Sequence, residues 1–274
     1  MTRELKFESP SFAKRLKGML GVDFYRLFHT PMFYIFLLIA ALISAMVLSM
    51  TSMPSLDGTM TELLYTNTWQ IIAADTPLYV VNNIAEYANM NMVFIFGGIM
   101  VSIFIGHDYK SGYVKQLFTT HAKKQDYMLS KTIVSAFAMA CMCITYLIGG
   151  VVAGLLVGMS FEVNVGSLIC ALLGKIIMSL GWASLYTFLN IIFRRYFGIS
   201  IASSFFFGTG ILIIGAAAIL GNNSILNIFL YGSSVYACLS ANIVTVLVCL
   251  VCSLVWTVIY NVLGTKILSK CDVY

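Results

Sequence analysis

The sequence concentrates basic side chains in residues 106–131, a short stretch that separates two long apolar runs. Its lysines are Lys110, Lys115, Lys123, Lys124 and Lys131. After Gly112, apolar residues alternate with polar ones at near-helical spacing, in the run Tyr113, Val114, Lys115, Gln116, Leu117 and Phe118. Such a helix can lay apolar side chains into a groove on another protein. We predict a short docking helix parallel to the membrane with apolar side chains pointing to the cytoplasm. The alternative is a solvated basic loop that only sets topology.

Catalytic and metal-binding patterns are absent from the sequence. It contains neither GxxxxGK followed by Ser or Thr, the phosphate-binding loop, nor the zinc-binding pattern HExxH. His107 and Asp108 could form a ligand pair or a general base, but we favour an interfacial histidine beside a carboxylate. Cys141 and Cys143 lack the spacing of a zinc site. We therefore predict no catalytic residue, no metal site and no cofactor in this chain.

The composition indicates that the elements on either side of the predicted docking helix lie in a membrane. Apolar residues make up 60% of the 274 residues and charged residues only 10%, with a mean hydropathy of +0.92. A soluble domain carries about 25% charged residues, so this chain cannot cover a globule in water. The net charge of +5 does not indicate nucleic-acid binding, because the basic residues lie at the ends of apolar runs.

Six apolar runs predict an all-α polytopic membrane protein with six transmembrane helices, since about twenty helical residues cross a bilayer core of about 30 Å. The spans lie near residues 32–50, 90–105, 132–159, 175–193, 197–220 and 242–264. The fourth span has two alternatives. It either begins at about Val165, or follows a short re-entrant piece and begins at Lys175. We favour the second, because Lys175 then lies at the outer interface instead of inside the bilayer.

Residues 1–31 predict an amphipathic helix that precedes a membrane domain at 32–274. Its apolar positions recur at helical spacing beside basic ones, a pattern typical of a helix lying in the membrane interface. The residues we assign to this interfacial helix are Phe12, Lys14, Arg15, Leu16, Lys17 and Arg26. A partner-binding helix is the alternative. Pro31 suits the break before the first span.

Charge distribution predicts the topology. All but Lys175 of the sixteen Lys and Arg fall in the amino-terminal segment, the 106–131 loop, the Arg194-Arg195 turn or the carboxy-terminal tail. Six spans place these four segments on one side of the membrane, which the positive-inside rule makes cytoplasmic. We therefore expect a multi-pass protein of the cytoplasmic membrane with both termini in the cytoplasm.

Small residues at close spacing predict tight helix contacts within the bilayer. Those we single out are Gly98, Ser102, Gly106, Gly208 and Gly210. They either pack within one subunit or form an interface between subunits along which a substrate passes. Once Lys175 is placed at the interface, no predicted span contains an Asp, Glu, Lys or Arg. Ion-coupled carriers often place ionisable groups there, so we expect energy to enter from the cytoplasmic side.

The order of these features resembles the membrane subunits of type-2 ABC exporters, which include permeases for drugs, lantibiotics and other antimicrobial peptides. A basic amphipathic helix precedes the first span, a large loop follows it, and the loop after the second span reads D-Y-K-S-G-Y-V-K-Q-L-F before L-S-K. The resemblance implies that 113–118 is a coupling helix and that residues 12–28 match the connecting helix. It also implies two cytoplasmic ATPase subunits that bind ATP and Mg²⁺, and a second permease, identical or similar, alongside.

These expectations amount to a non-catalytic permease subunit that exports an amphipathic or lipophilic peptide or drug. Two alternatives stay open. The chain could be a membrane-embedded immunity or sensor protein that binds a peptide without transporting it, or an ion-coupled carrier.

Overall fold

The computed structural model describes residues 11–51, 68–69, 84–119, 122–210, 228–239 and 242–270, which are mostly α-helical. The helices are α1 Phe12–His29, α2 Pro31–Thr51, α3 Ile84–Lys110, α4 Tyr113–Thr119, α5 Lys124–Val157, α6 Val165–Ile192, α7 Phe197–Gly208, α8 Leu230–Leu239 and α9 Ile243–Lys270. The predicted all-α fold class is confirmed. Most of the long 52–89 loop lies outside the described residues.

An elbow joins α1 to α2, whose axes are bent by 65°. Thr30 between them is extended, with φ −96° and ψ 119°, because the residue before a proline is disfavoured in the helical region. The Thr30 hydroxyl donates a hydrogen bond of 2.6 Å to the Arg26 carbonyl. The predicted break at Pro31 is therefore observed, and α1 turns aside from the direction of α2.

Four of the described helices are long and apolar enough to cross a membrane, or five if α1 and α2 count as one bent span. The four are α3, α5, α6 and α9. The predicted fifth span, 197–220, is represented by the twelve residues of α7, and its continuation after residue 210 lies outside the described residues. The chain is thus a helical membrane protein by length and composition, and six spans stay a prediction.

The fourth predicted span is corrected by α6, which is continuous from Val165 to Ile192. Its start is fixed by Asn164, whose side-chain oxygen accepts a hydrogen bond of 3.0 Å from the Gly166 amide, as an N-cap residue does. The re-entrant piece was therefore the wrong choice, and the start at Val165 was right. Lys175 lies about 15 Å along the helix from its first residue and is only 8% exposed. Lys175 therefore lies within a continuous apolar helix, and its place at the outer interface stays a prediction.

A second correction concerns 221–241, which the sequence indicated to be an uncharged loop. Its described part contains α8, a helix of ten residues. Leu230 and Tyr231 of α8 are buried, and the Ser234 hydroxyl accepts a hydrogen bond of 2.6 Å from the Trp182 indole. The segment contains no charged residue, so charge patterning did not show this helix.

The basic segments converge at one end of the helix bundle, called here the basic end. The start of α5 meets the end of α9, where Lys124 Nζ lies 3.5 Å from the Ser269 carbonyl oxygen. The end of α3 meets the start of α7, where Lys110 Nζ lies 3.8 Å from the centre of the Phe197 ring. Because α1 packs against α5, the amino-terminal basic helix joins the same end.

Candidate functional site: a buried charge cluster at the basic end

Four charged side chains from three helices meet at the basic end of the bundle. We call this set the buried charge cluster, and its members are Asp23, Arg26, Asp108 and Lys131. Lys131 Nζ lies 2.6 Å from an oxygen of Asp23 and 2.6 Å from an oxygen of Asp108. Arg26 Nη2 lies 2.6 Å from the other Asp108 oxygen. The cluster therefore joins α1 to the last turn of α3 and the first turns of α5.

Burial makes the balance of charges in this cluster important. The side chains of Lys131 and Asp108 are 0% exposed and that of Asp23 is 1% exposed. Two carboxylates face two cations, and the Ser130 hydroxyl donates a further hydrogen bond of 2.6 Å to Asp23. Removing charges from water is costly unless they are paired and hydrogen-bonded. Each member thus holds the others in place.

Aromatic rings close the cluster toward α4. Lys131 Nζ lies 4.5 Å from the centre of the Phe104 ring, and the Arg26 guanidinium lies 4.3 Å from the centre of the Tyr113 ring. Burial opposes the charged guanidinium, but the charges of Asp108 and Asp23 and a hydrogen bond to Asp108 together outweigh it and raise the pKa of Arg26. Burial, and then the Asp23 charge, raises the pKa of Tyr113. At neutral pH the cluster therefore presents a cation to a neutral phenol.

The turn into α4 depends on Gly112, which has a φ of 72°. A left-handed backbone of this kind favours glycine because it has no Cβ. The Gly112 carbonyl then accepts a hydrogen bond of 3.1 Å from the Gln116 amide and starts the short helix. Gly112 therefore interrupts the helical path between α3 and α4 and brings Tyr113 back toward the cluster.

The apolar side of α4 faces the bundle. Val114 is 1% exposed and packs in a small core with Tyr127, Met128, Ile191 and Leu268. The expectation that the apolar side chains of this helix all point away from the membrane domain was therefore wrong for Val114. Burying the apolar side chains of α4 against α5 and α9 is more favourable than leaving them exposed to water.

The other side of α4 is open. Lys115 and Gln116 are exposed, while Leu117 and Phe118 are half-buried at the margin of the small core. The Phe118 ring centre lies 5.7 Å from that of Tyr127, edge to face. A surface of Lys115 and Gln116, bordered by Leu117 and Phe118, is what this helix offers to a partner. Its docking role stays a prediction.

The residues assigned to the interfacial helix separate into two groups. Phe12, Lys14 and Lys17 are exposed, and Leu16 is half-buried. Arg15 instead forms an ion pair of 2.8 Å with Asp126 of α5, and Arg26 belongs to the buried charge cluster. Aromatic residues also dock α1 on α5, since the Phe24 and Phe137 ring centres lie 5.2 Å apart. Helix α1 thus packs on protein along one side.

Three of the predicted small residues allow close packing within this chain. A Cβ on Gly98 would lie 2.6 Å from the Tyr186 ring, and one on Gly208 would lie 2.8 Å from the Tyr186 hydroxyl. A Cβ on Gly106 would collide with the Phe197 ring. These contacts join α3, α6 and α7, so they represent the first of the two alternatives, packing within one subunit.

The two remaining residues of that set also have intramolecular partners. The Ser102 hydroxyl lies 2.7 Å from that of Ser204 and accepts a hydrogen bond of 3.0 Å from the Asn190 side chain. Gly210 has a φ of 66°, and a Cβ there would collide with Tyr231. A passage between subunits along these residues stays a prediction.

Sequence reasoning missed the acids of the cluster. Asp108 was noticed only beside His107, and Asp23 was not singled out at all. A signal existed for Asp23, because it falls three residues after Leu20 and four before Leu27, on the apolar face of α1. A lone carboxylate on an apolar helix face requires a buried partner. The identity of that partner, Lys131, was not readable from spacing.

Together the long apolar helices and the charged basic end define a helical membrane protein. Buried ion pairs between side chains join its helix α1 to the longer helices. No protein-family model matches the chain, and no curated protein matches it either.

Proposed function

We propose that this chain is the membrane subunit of an ATP-driven exporter whose ATPase is a separate cytoplasmic protein. In this proposal α4 is the coupling helix, the basic end is cytoplasmic, and this six-span chain pairs with a second permease subunit that is identical or similar. The cargo is an amphipathic or lipophilic molecule such as a peptide or drug.

The observation that carries the proposal is the way α4 is mounted. It is a short helix at the turn between two long apolar helices, α3 and α5. Its inner side is buried through Val114, and Tyr113 lies under Arg26 of the buried charge cluster. A push on Lys115 and Gln116 would therefore be transmitted to α1, α3 and α5 together, as energy transfer from an attached ATPase requires.

The test is purification of the full chain in mild detergent with the proteins that remain bound. The proposal expects a bound protein with a phosphate-binding loop, and ATP hydrolysis by the complex. The variant Lys115→Glu with Gln116→Glu changes only exposed side chains, so it should insert normally. Two new carboxylates on the docking surface should reduce the amount of ATPase that stays bound by about tenfold.

Lys270→Glu is the matched control, since Lys270 is also exposed at the basic end but lies outside α4. It should retain the ATPase at the wild-type level. Wild-type protein that transports cargo alone without nucleotide would contradict the proposal, as would equal ATPase retention by both variants.

A second candidate function, an ion-coupled carrier, is favoured by one observation. Lys175 lies inside the apolar helix α6, with Nζ 5.6 Å from the centre of the Tyr146 ring. Ionisable groups inside spans often mark ion or proton pathways. Transport into proteoliposomes driven by an ion gradient without ATP, and abolished by Lys175→Gln, would support this function over the first.

A further inference from the structure

A second feature of the basic end is a cavity of about 200 Å³ on the other side of α3. It lies where α3 and α6 end and α7 begins, and we call it the cationic cavity. Three cationic side chains line it, Lys110, Arg194 and Arg195, and none of the described residues in its lining is acidic. Three positive charges around one small concave space attract an anion.

The cations of the cationic cavity differ from Arg15, Arg26 and Lys131, because no acidic side chain among the described residues forms an ion pair with them. In the part of the chain that the structure describes, the ion pairs of the basic end use Arg15, Arg26 and Lys131. The contact recorded for Lys110 within the described residues is with the Phe197 ring. The charge of Lys110, Arg194 and Arg195 is therefore available to a ligand.

The floor of the cavity is polar, neutral and fixed. Asn190 is 2% exposed, and its side-chain nitrogen donates to Ser102 at 3.0 Å and to the Tyr186 carbonyl at 2.8 Å. Its side-chain oxygen accepts a hydrogen bond from Ser200. The first turn of α7 also opens here, and its cap residue Tyr196 makes no side-chain capping hydrogen bond. A helix amino terminus adds positive potential for an anion.

The surroundings of the cavity indicate which anion it takes. Its cations stand at the ends of apolar helices, at the level where a bilayer changes from hydrocarbon to headgroup. Large apolar side chains beside it face outward, with Tyr196 63%, Ile199 48% and Ile192 41% exposed. A ligand with an anionic head and apolar tails satisfies both features, whereas a free phosphate satisfies only the first. Basic pockets between membrane helices bind lipid headgroups in this way.

We infer that the cationic cavity is a binding site for an anionic phospholipid. The headgroup phosphate lies among Lys110, Arg194 and Arg195, and an acyl chain runs along the outward face of α7. The lipid bridges α3, α6 and α7 at the basic end. The site does not depend on ATP-driven transport, so it stands or falls separately from the proposed function.

The test uses the full chain in neutral detergent, titrated with phosphatidylglycerol and followed by native mass spectrometry. Arg194→Gln with Arg195→Gln should raise the apparent Kd for phosphatidylglycerol by about 30-fold, since each removed cation weakens anionic-lipid binding severalfold. Phosphatidylcholine binding should not change. The pair Arg194→Lys with Arg195→Lys keeps both charges and should stay within about threefold of wild type.

Lys123→Gln with Lys270→Gln is the matched control, because it removes two exposed charges at the same end without touching the cavity. It should change the Kd by less than about threefold. Equal Kd values for the control and the cavity variant would overturn the inference. Displacement of phosphatidylglycerol by inorganic phosphate at similar concentration would assign the site to free phosphate and overturn the lipid.

Discussion

The last turn of α3 separates two regions that treat positive charge in opposite ways. On one side Asp108 enters the buried charge cluster, where Arg26 and Lys131 are paired at 2.6 Å. On the other side Lys110, two residues later, lines the cationic cavity with Arg194 and Arg195. In the first region the charges are paired within the protein, and we call it the closed region. In the second the cations have no ion pair among the described residues, and we call it the open region.

The difference shows that basic residues at one end of a membrane protein do not share one role. Lys131 is fully buried and joins helices, so it acts on stability. Arg195 is exposed and without an ion pair in the described chain, so we expect it to contact a ligand. The positive-inside rule counts charges without regard to pairing, so it does not distinguish these two residues.

Lys131→Met breaks the closed region and should have the largest effect. It leaves Asp23 and Asp108 buried with one cation between them, and removing one partner of a buried pair costs about 3–5 kcal/mol. Unfolding in detergent, followed by circular dichroism, measures the loss. The exposed Lys123→Met should change stability by less than about 0.5 kcal/mol.

Adding Asp23→Asn to Lys131→Met sharpens the same test, because it removes the carboxylate left without its cation while Arg26 still pairs with Asp108. The double variant should regain part of the lost stability. A double variant less stable than Lys131→Met alone would contradict a charge-balanced cluster.

Gly106→Ala tests the wall between the two regions. A Cβ at this position collides with the Phe197 ring. Lys110 Nζ lies over the same ring. Overpacking of this kind costs about 1–3 kcal/mol, measurable as a lower unfolding temperature. Gly21→Ala in α1 meets nothing within 4 Å and should be neutral or stabilising.

Arg15→Gln examines an ion pair that is only partly buried, and its effect should be smaller. The Arg15 side chain is 22% exposed, and Asp126 lies in the first turn of α5, where the helix dipole also stabilises it. We expect a loss of about 1 kcal/mol or less. Added salt should reduce the difference between variant and wild type, and a difference that grows with salt would contradict this explanation.

Arg194→Gln with Arg195→Gln, measured without anionic lipid, should have the smallest effect. Within the described residues these side chains have no ion pair to lose, so unfolding stability should stay within about 0.5 kcal/mol of wild type. A loss above about 2 kcal/mol would show that Arg194 and Arg195 have stabilising partners within the protein. It would remove the contrast with the buried charge cluster.

Local sequence signals predicted local structure well. Pro31 and Gly112 each end or begin a helix where expected, because their effects on the backbone require no distant partner. The start of α6 was misplaced because the prediction considered the cost of burying Lys175 and did not consider Asn164 as a helix cap. The helix hydrogen bonds continued through Lys175, and the bundle around it supplied a protected place for the side chain.

The sequence alone determined that this chain is helical, membrane-spanning and basic at the ends of its apolar runs, since composition and short-range spacing decide those properties. Only the tertiary structure decided which cations are paired. Asp23 and Lys131 are 108 residues apart in the chain, and no periodicity relates them. Charge pairing depends on distance in space and on burial, and both arise only when the helices pack.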